Sequence, residues 1–358
     1  MSAAAQLFGL DLPNNWKVIA PVPRSAAGTG GHFSHSYIVE KSEATNNGGL
    51  VKTRGFLKAF DFSDAFEPGV DTIQELQNLT NAYEHEREVL EHCAGRRLAN
   101  VVLAIDHGHV QVPGMNIIEG RVFYLIFEMA DGDVRIQMDK STACDSVWCM
   151  HALRQICLGL WQVHREMIAH QDTKPSNVLA YGGSTFKIAD FGCSSRKGIT
   201  SPRDKLNIAG DRTYSPPELL YGYTDPDFVA RRIGCDLYMF GNLAAFLFSG
   251  TNVTASLKRH LDPQHHHRNW NGTYEEVLPY VSAAFSRVIS DLNSVIEADV
   301  AKDVIPLIQE LCHPDIRRRG HPRGIGRRDQ YSLERYVSRL DRIVRELEVR
   351  TRIQRNQR

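Results

Sequence analysis

Between residues 167 and 192 the chain reads MIAHQDTKPSNVLAYGGSTFKIADFG, which sets Asp172 and Asn177 five residues apart and then reaches a second carboxylate, Asp190. Carboxylate and amide oxygens are the ligands that a hard divalent cation such as Mg2+ prefers. Two short apolar runs separate the loops that carry them. If those runs pair as a hairpin, the loops lie side by side. One carboxylate and the amide oxygen can then share a cation, and the other carboxylate is free to take a proton from a hydroxyl. Each residue alone reads equally well as turn chemistry, with Asx turns at Asp172 and Asn177 and a solvated loop acid at Asp190. The three together, at this spacing, favour a metal-phosphate site.

The elements that must position these groups are legible from periodicity. HFSHSYIVE and GFLKAFDF alternate as strands around the turn TNNGG. DTIQELQNLTNAYEHEREVLEHC follows with helical spacing at Leu76, Leu79, Tyr83, Val89 and Leu90. ANVVLAIDHGHVQV and RVFYLIFEMA are two further strand-like runs around VPGMN. After Asp131-Gly132-Asp133 the texture becomes helical, beginning with SVWCMHALRQICLGLWQVHREM, and helices dominate from Leu237 onward. The expected fold class is α+β: a small antiparallel β-rich lobe with one main helix, a short connector and a larger α-helical lobe. No internal repeat is present.

HQDTKPSN resembles the catalytic loop H-R-D-x-K-x-x-N of protein kinases, and DFG their metal-binding motif. The rest of that family's pattern follows in the right order. GFLKAFDF offers the strand lysine, Lys58, and EREVL the helix glutamate, Glu86. GDRTYSPPELL supplies Pro216-Pro217-Glu218 for the end of the activation segment. CDLYMFG supplies Asp236 and Gly241 of the buried helix. CHPDIRRRG supplies an arginine for Glu218, with Arg317 taken from three. The chain resembles a eukaryotic-like (Hanks-type) serine/threonine protein kinase, its shortness being similar to that of bacterial members. The resemblance implies a bilobal kinase domain over about 16–322, with lobes at about 16–129 and 134–322. An N-terminal extension over 1–15 and a basic amphipathic C-terminal helix over 323–358 flank it.

The resemblance also implies ATP and Mg2+, or Mn2+, as cofactors, and it assigns roles. Lys58 would hold phosphates with Glu86 fixing its position, Asn177 and Asp190 would bind the metal, Asp172 would accept the hydroxyl proton and Lys174 would steady the γ-phosphate. Lysine at 174 resembles the serine/threonine class. AAGTGGHFS resembles a phosphate-covering loop with disturbed spacing, its amides exposed to phosphate at Gly28, Gly30 and Gly31. Phe127 would back the adenine pocket, Glu128 and Ala130 would present backbone groups to the adenine edge, and Asp133 would reach the ribose.

Four departures qualify this pattern. Gln171 replaces an arginine that commonly pairs with an activation-loop phosphate, so activity is expected not to depend on phosphorylation there, although Ser194, Ser195, Thr200 and Ser201 remain candidate acceptors. Asp211 stands where a threonine is usual and adds negative charge beside the substrate hydroxyl. Phe56 replaces a small residue two before Lys58, which tightens the adenine roof. An insertion, SDAFEPGVDTIQ, separates Lys58 from Glu86 as either a docking surface or a tolerated loop. The competing readings are a non-catalytic kinase-fold scaffold (a pseudokinase) that acts through partner binding, and a small-molecule phosphotransferase of the aminoglycoside-kinase type. Retention of Lys58, Asp172, Asn177 and Asp190 argues against the first; DFG, PPE and DLYMFG argue against the second.

The 358 residues carry 42 basic and 42 acidic side chains, so overall charge names no partner. No basic n-region precedes an apolar stretch at the start, and no run of 18 apolar residues occurs, so neither a signal peptide nor membrane association is expected. Seven cysteines without CxxC spacing suggest buried thiols in a reducing cytoplasm. Cys193, next to DFG, reads as either a reactive thiol or an inert buried one. His265, His266 and His267 point in different directions and read as a solvated loop, not a metal site. From His313 onward fourteen arginines, no lysine and six acids leave an excess of eight positive charges. RRRGHPRGIGRR lacks aromatic platforms and reads as a solvated basic segment in preference to a nucleic-acid site. Beyond it, Val337, Leu340, Val344 and Leu347 form a stripe that would pack on the kinase body, or on a partner or second copy. Nothing in the sequence names the protein substrate.

Overall fold

Alternating side chains from Trp16 to Glu128 build the first of two compact units, Met1–Arg97 with Val101–Asp131. The computed structural model describes residues 2–23, 34–44, 49–140 and 145–356. The strands of this unit are β1 (Asp11–Leu12), β2 (Trp16–Pro21), β3 (Ser34–Ala44), β4 (Leu50–Phe60), β5 (Ala104–Gln111) and β6 (Arg121–Glu128). They form one antiparallel sheet in the order β1-β2-β3-β4-β6-β5. One face buries Trp16, Val39, Leu57, Tyr124 and Ile126. Helix α1 (Thr72–Gly95) begins where the Asp71 carboxylate accepts a hydrogen bond from Gln74 N–H at 3.2 Å. Its Tyr83 ring packs on Phe60 of β4 and Phe123 of β6, 5.1 and 5.0 Å between centroids.

Residues 2–15, read from sequence as an extension, join this unit's core. Ala4 and Leu7 are buried, and Tyr37 Oη donates to Ala4 O at 2.7 Å. The insertion after Lys58 is a 3₁₀ turn, Ser63–Phe66, with Ala65 buried, leading into α1. The glycines Gly28, Gly30 and Gly31 of the expected phosphate loop lie outside the described residues.

The second unit comprises Leu98–Asn100 and Gly132–Arg358. In chain order it contains β7 (Gly132–Asp133), α2 (Val134–Lys140), α3 (Ser146–Arg165), β8 (Ile168–Ala169), β9 (Val178–Tyr181), β10 (Thr185–Ile188), β11 (Ser195–Arg196) and α4 (Pro217–Leu220). Then follow α5 (Gly234–Ser249), α6 (Val253–His260), α7 (Tyr274–Val295), α8 (Ala298–Leu311) and α9 (Glu334–Asn356). Helix α5 is almost wholly buried, and Gly241 lets α8 approach it: a Cβ there would lie 2.7 Å from Leu311 Cβ. Among the described residues no single helix is long and apolar enough to cross a membrane.

Helix α9 packs on α3, and its Tyr336, Leu340, Ile343 and Val344 are buried, as is Leu333 just before it. Arg154 of α3 meets Asp341 of α9 at 2.6 Å, and Arg339 of α9 meets Glu310 of α8 at 3.4 Å. The apolar stripe therefore faces its own unit. Val337 and Leu347, which the sequence placed in that stripe, lie at its half-buried margin. Of the histidine run, His265 stacks on Tyr280, His266 Nε2 bonds Leu261 O and His267 meets Tyr221 edge-on, so the three rings diverge.

Candidate active site

Each site loop is held by elements whose sequence explains their form. The β9–β10 hairpin expected from the apolar runs is present: Val178 pairs with Ile188 at its open end, and Gly182 and Gly183 turn the other end at φ values of 56° and 71°. At the open end Ala189 N–H donates to Asn177 O at 2.9 Å, which ties the Asn177 loop to the residue preceding Asp190.

The loop before β9 is clamped from below by Asp236 of α5, which is fully buried. One carboxylate oxygen accepts from Gln171 N–H at 2.6 Å; the other accepts from His170 N–H at 2.7 Å and bonds His164 Nε2 at 2.8 Å. His170 Nε2 bonds the Ala189 carbonyl at 2.9 Å, so that nitrogen carries the proton and Nδ1 is left to accept from Asp172 N–H at 3.3 Å. Gln171 and Asp190 both sit in the left-handed region, at φ 62° and 65°, conformations held by this bonding and not by intrinsic preference.

Asp172 emerges at the centre, 5 % exposed. Its Oδ1 accepts from the backbone N–H of Asp211 at 2.8 Å; its Oδ2 accepts from Asn177 Nδ2 at 2.8 Å and lies 3.0 Å from Lys174 Nζ. Asp211 Oδ2 is 3.6 Å from the same ammonium. Gly210 is what lets that segment approach, since a Cβ would strike the Gln171 carbonyl and sit 2.7 Å from Asp172 Oδ1. Burial pushes the Asp172 carboxyl above the ordinary range; Lys174 opposes this and the Asp190 charge reinforces it. Burial pulls Lys174 down, but Asp172, Asp211 and Asp190 more than reverse that and hold the ammonium above its usual value. Asp211 is lowered: burial raises it, but bonds from Thr213 and the charge of Lys174 prevail. Cys193 is pushed up to about 12 by burial and by the Asp172 charge, which makes it an inert thiol at neutral pH.

Asn177 spends Nδ2 on Asp172, since only the amide nitrogen can donate to a carboxylate, so Oδ1 is the side-chain atom that could meet a cation. The Asn177 loop is tied to the residue before Asp190, and the Asp190 charge is felt at Asp172, so the Asp190 carboxylate lies in the same region. Among the described residues no group of three or more His, Cys, Asp or Glu forms a closed metal cage. An amide oxygen and a carboxylate are donor types that Mg2+ accepts when phosphates and water complete its shell.

In the first unit, Lys58 Nζ lies 2.9 Å from both carboxylate oxygens of Glu86, which is 1 % exposed. The face of β4 that carries Lys58 also carries Phe56, directly opposite Phe127 of β6. Glu128 is bound to Leu103, donating its N–H at 3.1 Å and accepting on Oε1 at 3.0 Å; Ala130 follows the end of β6. Asp133 Oδ1 accepts from Ile136 N–H at 2.8 Å and so caps α2. Asp172, Lys174 and Asn177 are thus brought into direct contact with one another, whereas Asp133 is used locally as a cap.

The arginine that meets Glu218 is Arg319, not Arg317. Its two terminal nitrogens reach the two carboxylate oxygens at 2.7 and 2.8 Å, and its side chain is fully buried. Arg317 and Arg318 are exposed because the Asp315-capped 3₁₀ turn Ile316–Arg318 directs the chain so that only Arg319 enters the core. Arg232, buried against the Gln171 side chain, belongs to no motif that marks it in the sequence.

The protein kinase domain family matches residues 71–326. A CTD kinase subunit alpha of Saccharomyces cerevisiae is 31 % identical over 159 residues, 44 % of this chain and 29 % of that protein. The serine/threonine-protein kinase par-4 of Caenorhabditis elegans is 27 % identical over 154 residues, 42 % of this chain and 24 % of its own length. A mitogen-activated protein kinase homologue of Nicotiana tabacum is 34 % identical over 103 residues, 28 % of this chain and 27 % of that one. The chain thus spans less than a third of each of these relatives. It belongs to the protein kinase family, among the Hanks-type kinases.

Proposed function

We propose that the protein transfers the γ-phosphate of Mg-ATP to serine or threonine hydroxyls of protein substrates, without needing a phosphate on its own activation segment. The observation that carries this reading is the Asp172 carboxylate, buried and oriented through both oxygens with Lys174 3.0 Å away. Mg-ATP, or the Mn2+ form, supplies the phosphoryl group and the charge neutralisation that its transfer requires. Asn177 Oδ1 and Asp190 are the residues that would hold the metal, and Lys58, set by Glu86, the phosphates. Asp172 takes the hydroxyl proton, and Lys174 offsets the negative charge that Asp172 and Asp211 bring to one place. Lysine at 174 supports the serine/threonine class. A reducing, cytoplasmic setting belongs to the same proposal and is supported by the six free cysteines of the described residues.

Radiolabelled ATP with Mg2+ and a generic acceptor protein tests this. Label on serine or threonine is expected with the wild type and none with Asp190→Asn. A wild type that binds nucleotide but transfers nothing would overturn the proposal in favour of a scaffold.

One observation favours that second reading, namely the Phe56 ring opposite Phe127 on the Lys58 face. A scaffold that excludes nucleotide would use such a ring to fill the adenine position. Under the kinase reading the ring only crowds it, and Phe56→Ala should lower the KM for ATP about fivefold by relieving overpacking. If the wild type fails to bind ATP and Phe56→Ala binds it, the scaffold reading stands.

A further inference from the structure

Arg232 lies in the helical turn Val229–Ile233 that precedes α5, and it is 2 % exposed. Among the described residues its guanidinium meets no carboxylate within ion-pair distance. Nη1 donates to the side-chain oxygen of Gln171 at 2.7 Å; Nη2 donates to Asp204 O at 2.8 Å and reaches Leu206 O at 3.4 Å. Gln171 in turn donates its Nε2 to Cys193 O at 2.9 Å and to Ser195 Oγ. A cation taken out of water is costly unless every acceptor it meets stays in place. Here the acceptors are one side chain of the catalytic loop and two carbonyls of the 194–216 segment. Releasing the segment would leave the guanidinium buried with only Gln171, so the arginine resists that release.

Three of the four candidate hydroxyls of the segment are already engaged. Ser194 Oγ donates to Phe191 O at 2.7 Å, Ser201 Oγ donates to Ser194 O at 2.9 Å, and Ser195 Oγ accepts from Gln171. All three serines are buried, and Thr200 alone of the four candidate acceptors is exposed.

We infer that Arg232, with Gln171 as its acceptor, is the positioning residue that holds the 194–216 segment against the catalytic loop with uncharged oxygens in place of a phosphate. Its effect on turnover rests on the kinase reading; its effect on the segment does not. Arginine at position 171 would set a second guanidinium against Arg232 in a buried site, whereas exchanging the two residues keeps one arginine donating to one glutamine oxygen.

The test is hydrogen exchange across residues 194–208, read beside phosphate transfer to a protein acceptor, with phosphatase-treated full-length protein. Arg232→Gln and Gln171→Arg should each speed exchange in the segment about tenfold or more, the loss of one charge-assisted bond. Both should lower kcat/KM for the protein acceptor. The exchanged pair, Gln171→Arg with Arg232→Gln, should recover both readouts toward wild type. If Arg232→Gln does not fold, Arg232→Lys, which keeps the charge but lacks the fork, is expected to show the same faster exchange. Unchanged exchange in the single variants, or an exchanged pair no better than the worse single variant, would overturn the inference. Exchange behaving as described in a protein that transfers no phosphate would uphold the inference and sink the kinase reading instead.

Discussion

Asp172→Asn should lower kcat by about a thousandfold at saturating nucleotide while changing nucleotide affinity only a few-fold, as expected for loss of a general base used in the transition state. Asparagine matches aspartate in shape, so the loss is not one of packing. Both carboxylate oxygens accept hydrogen bonds, from Asp211 N–H and from Asn177 Nδ2, and an amide can place an acceptor at only one of them. Its NH2 group must then oppose another donor, which turns the side chain or displaces Asp211. Lys174 also loses its nearer carboxylate and keeps the one at 3.6 Å. Rapid-quench kinetics separate the chemical step from product release. A fall of less than about tenfold would mean that Asp172 orients its neighbours and takes no proton.

Arg319→Met should destabilise the second unit by about 3–5 kcal/mol, the usual result of stripping one partner from a buried ion pair. Glu218 would be left 2 % exposed without its bidentate partner, and the carbonyls of Gly234 and His313 would each lose a guanidinium donor. The methionine fills much of the volume and lies over the Tyr238 ring as the arginine does, so the cost is electrostatic and not a cavity. Adding Glu218→Gln removes the stranded charge and should return about half of the loss. Urea unfolding of the four proteins gives the coupling directly, and additive losses would show that the pair does not act as a unit.

These two predictions differ in how early their residues could be read. Asp172 and Asn177 are five apart on one loop, and Asp190 is delivered by a hairpin whose apolar runs are visible, so local patterning was enough to assemble them. Lys58 and Glu86 lie on a strand and a helix whose periodicities are plain. Arg319 was legible only as one of three consecutive arginines, because side-chain direction over a single 3₁₀ turn depends on how its cap is oriented. Arg232 was not legible at all: its partners are carbonyls 26 and 28 residues away and an amide 61 residues away, and a carbonyl acceptor carries no side-chain signature. The stripe of α9 was half legible. Tyr336 and Ile343 broaden it to one side, because the helix meets α3 along a wider seam than a simple three-four spacing describes.

Helix α9 begins eight residues beyond the end of the family match at 326, yet its Tyr336, Leu340 and Ile343, with Leu333 just before it, are as deeply interior as the core residues of α3. Cys157 of α3 even turns its thiol toward Leu333 O, 4.0 Å away. A recombinant fragment ending at residue 326 would uncover an apolar strip along α3, prone to aggregate, while still containing every residue assigned to the chemistry. For this protein the limits of the recognisable motif and of the cooperative folding unit are different places on the chain, and an insoluble fragment would report on the second and say nothing about the first.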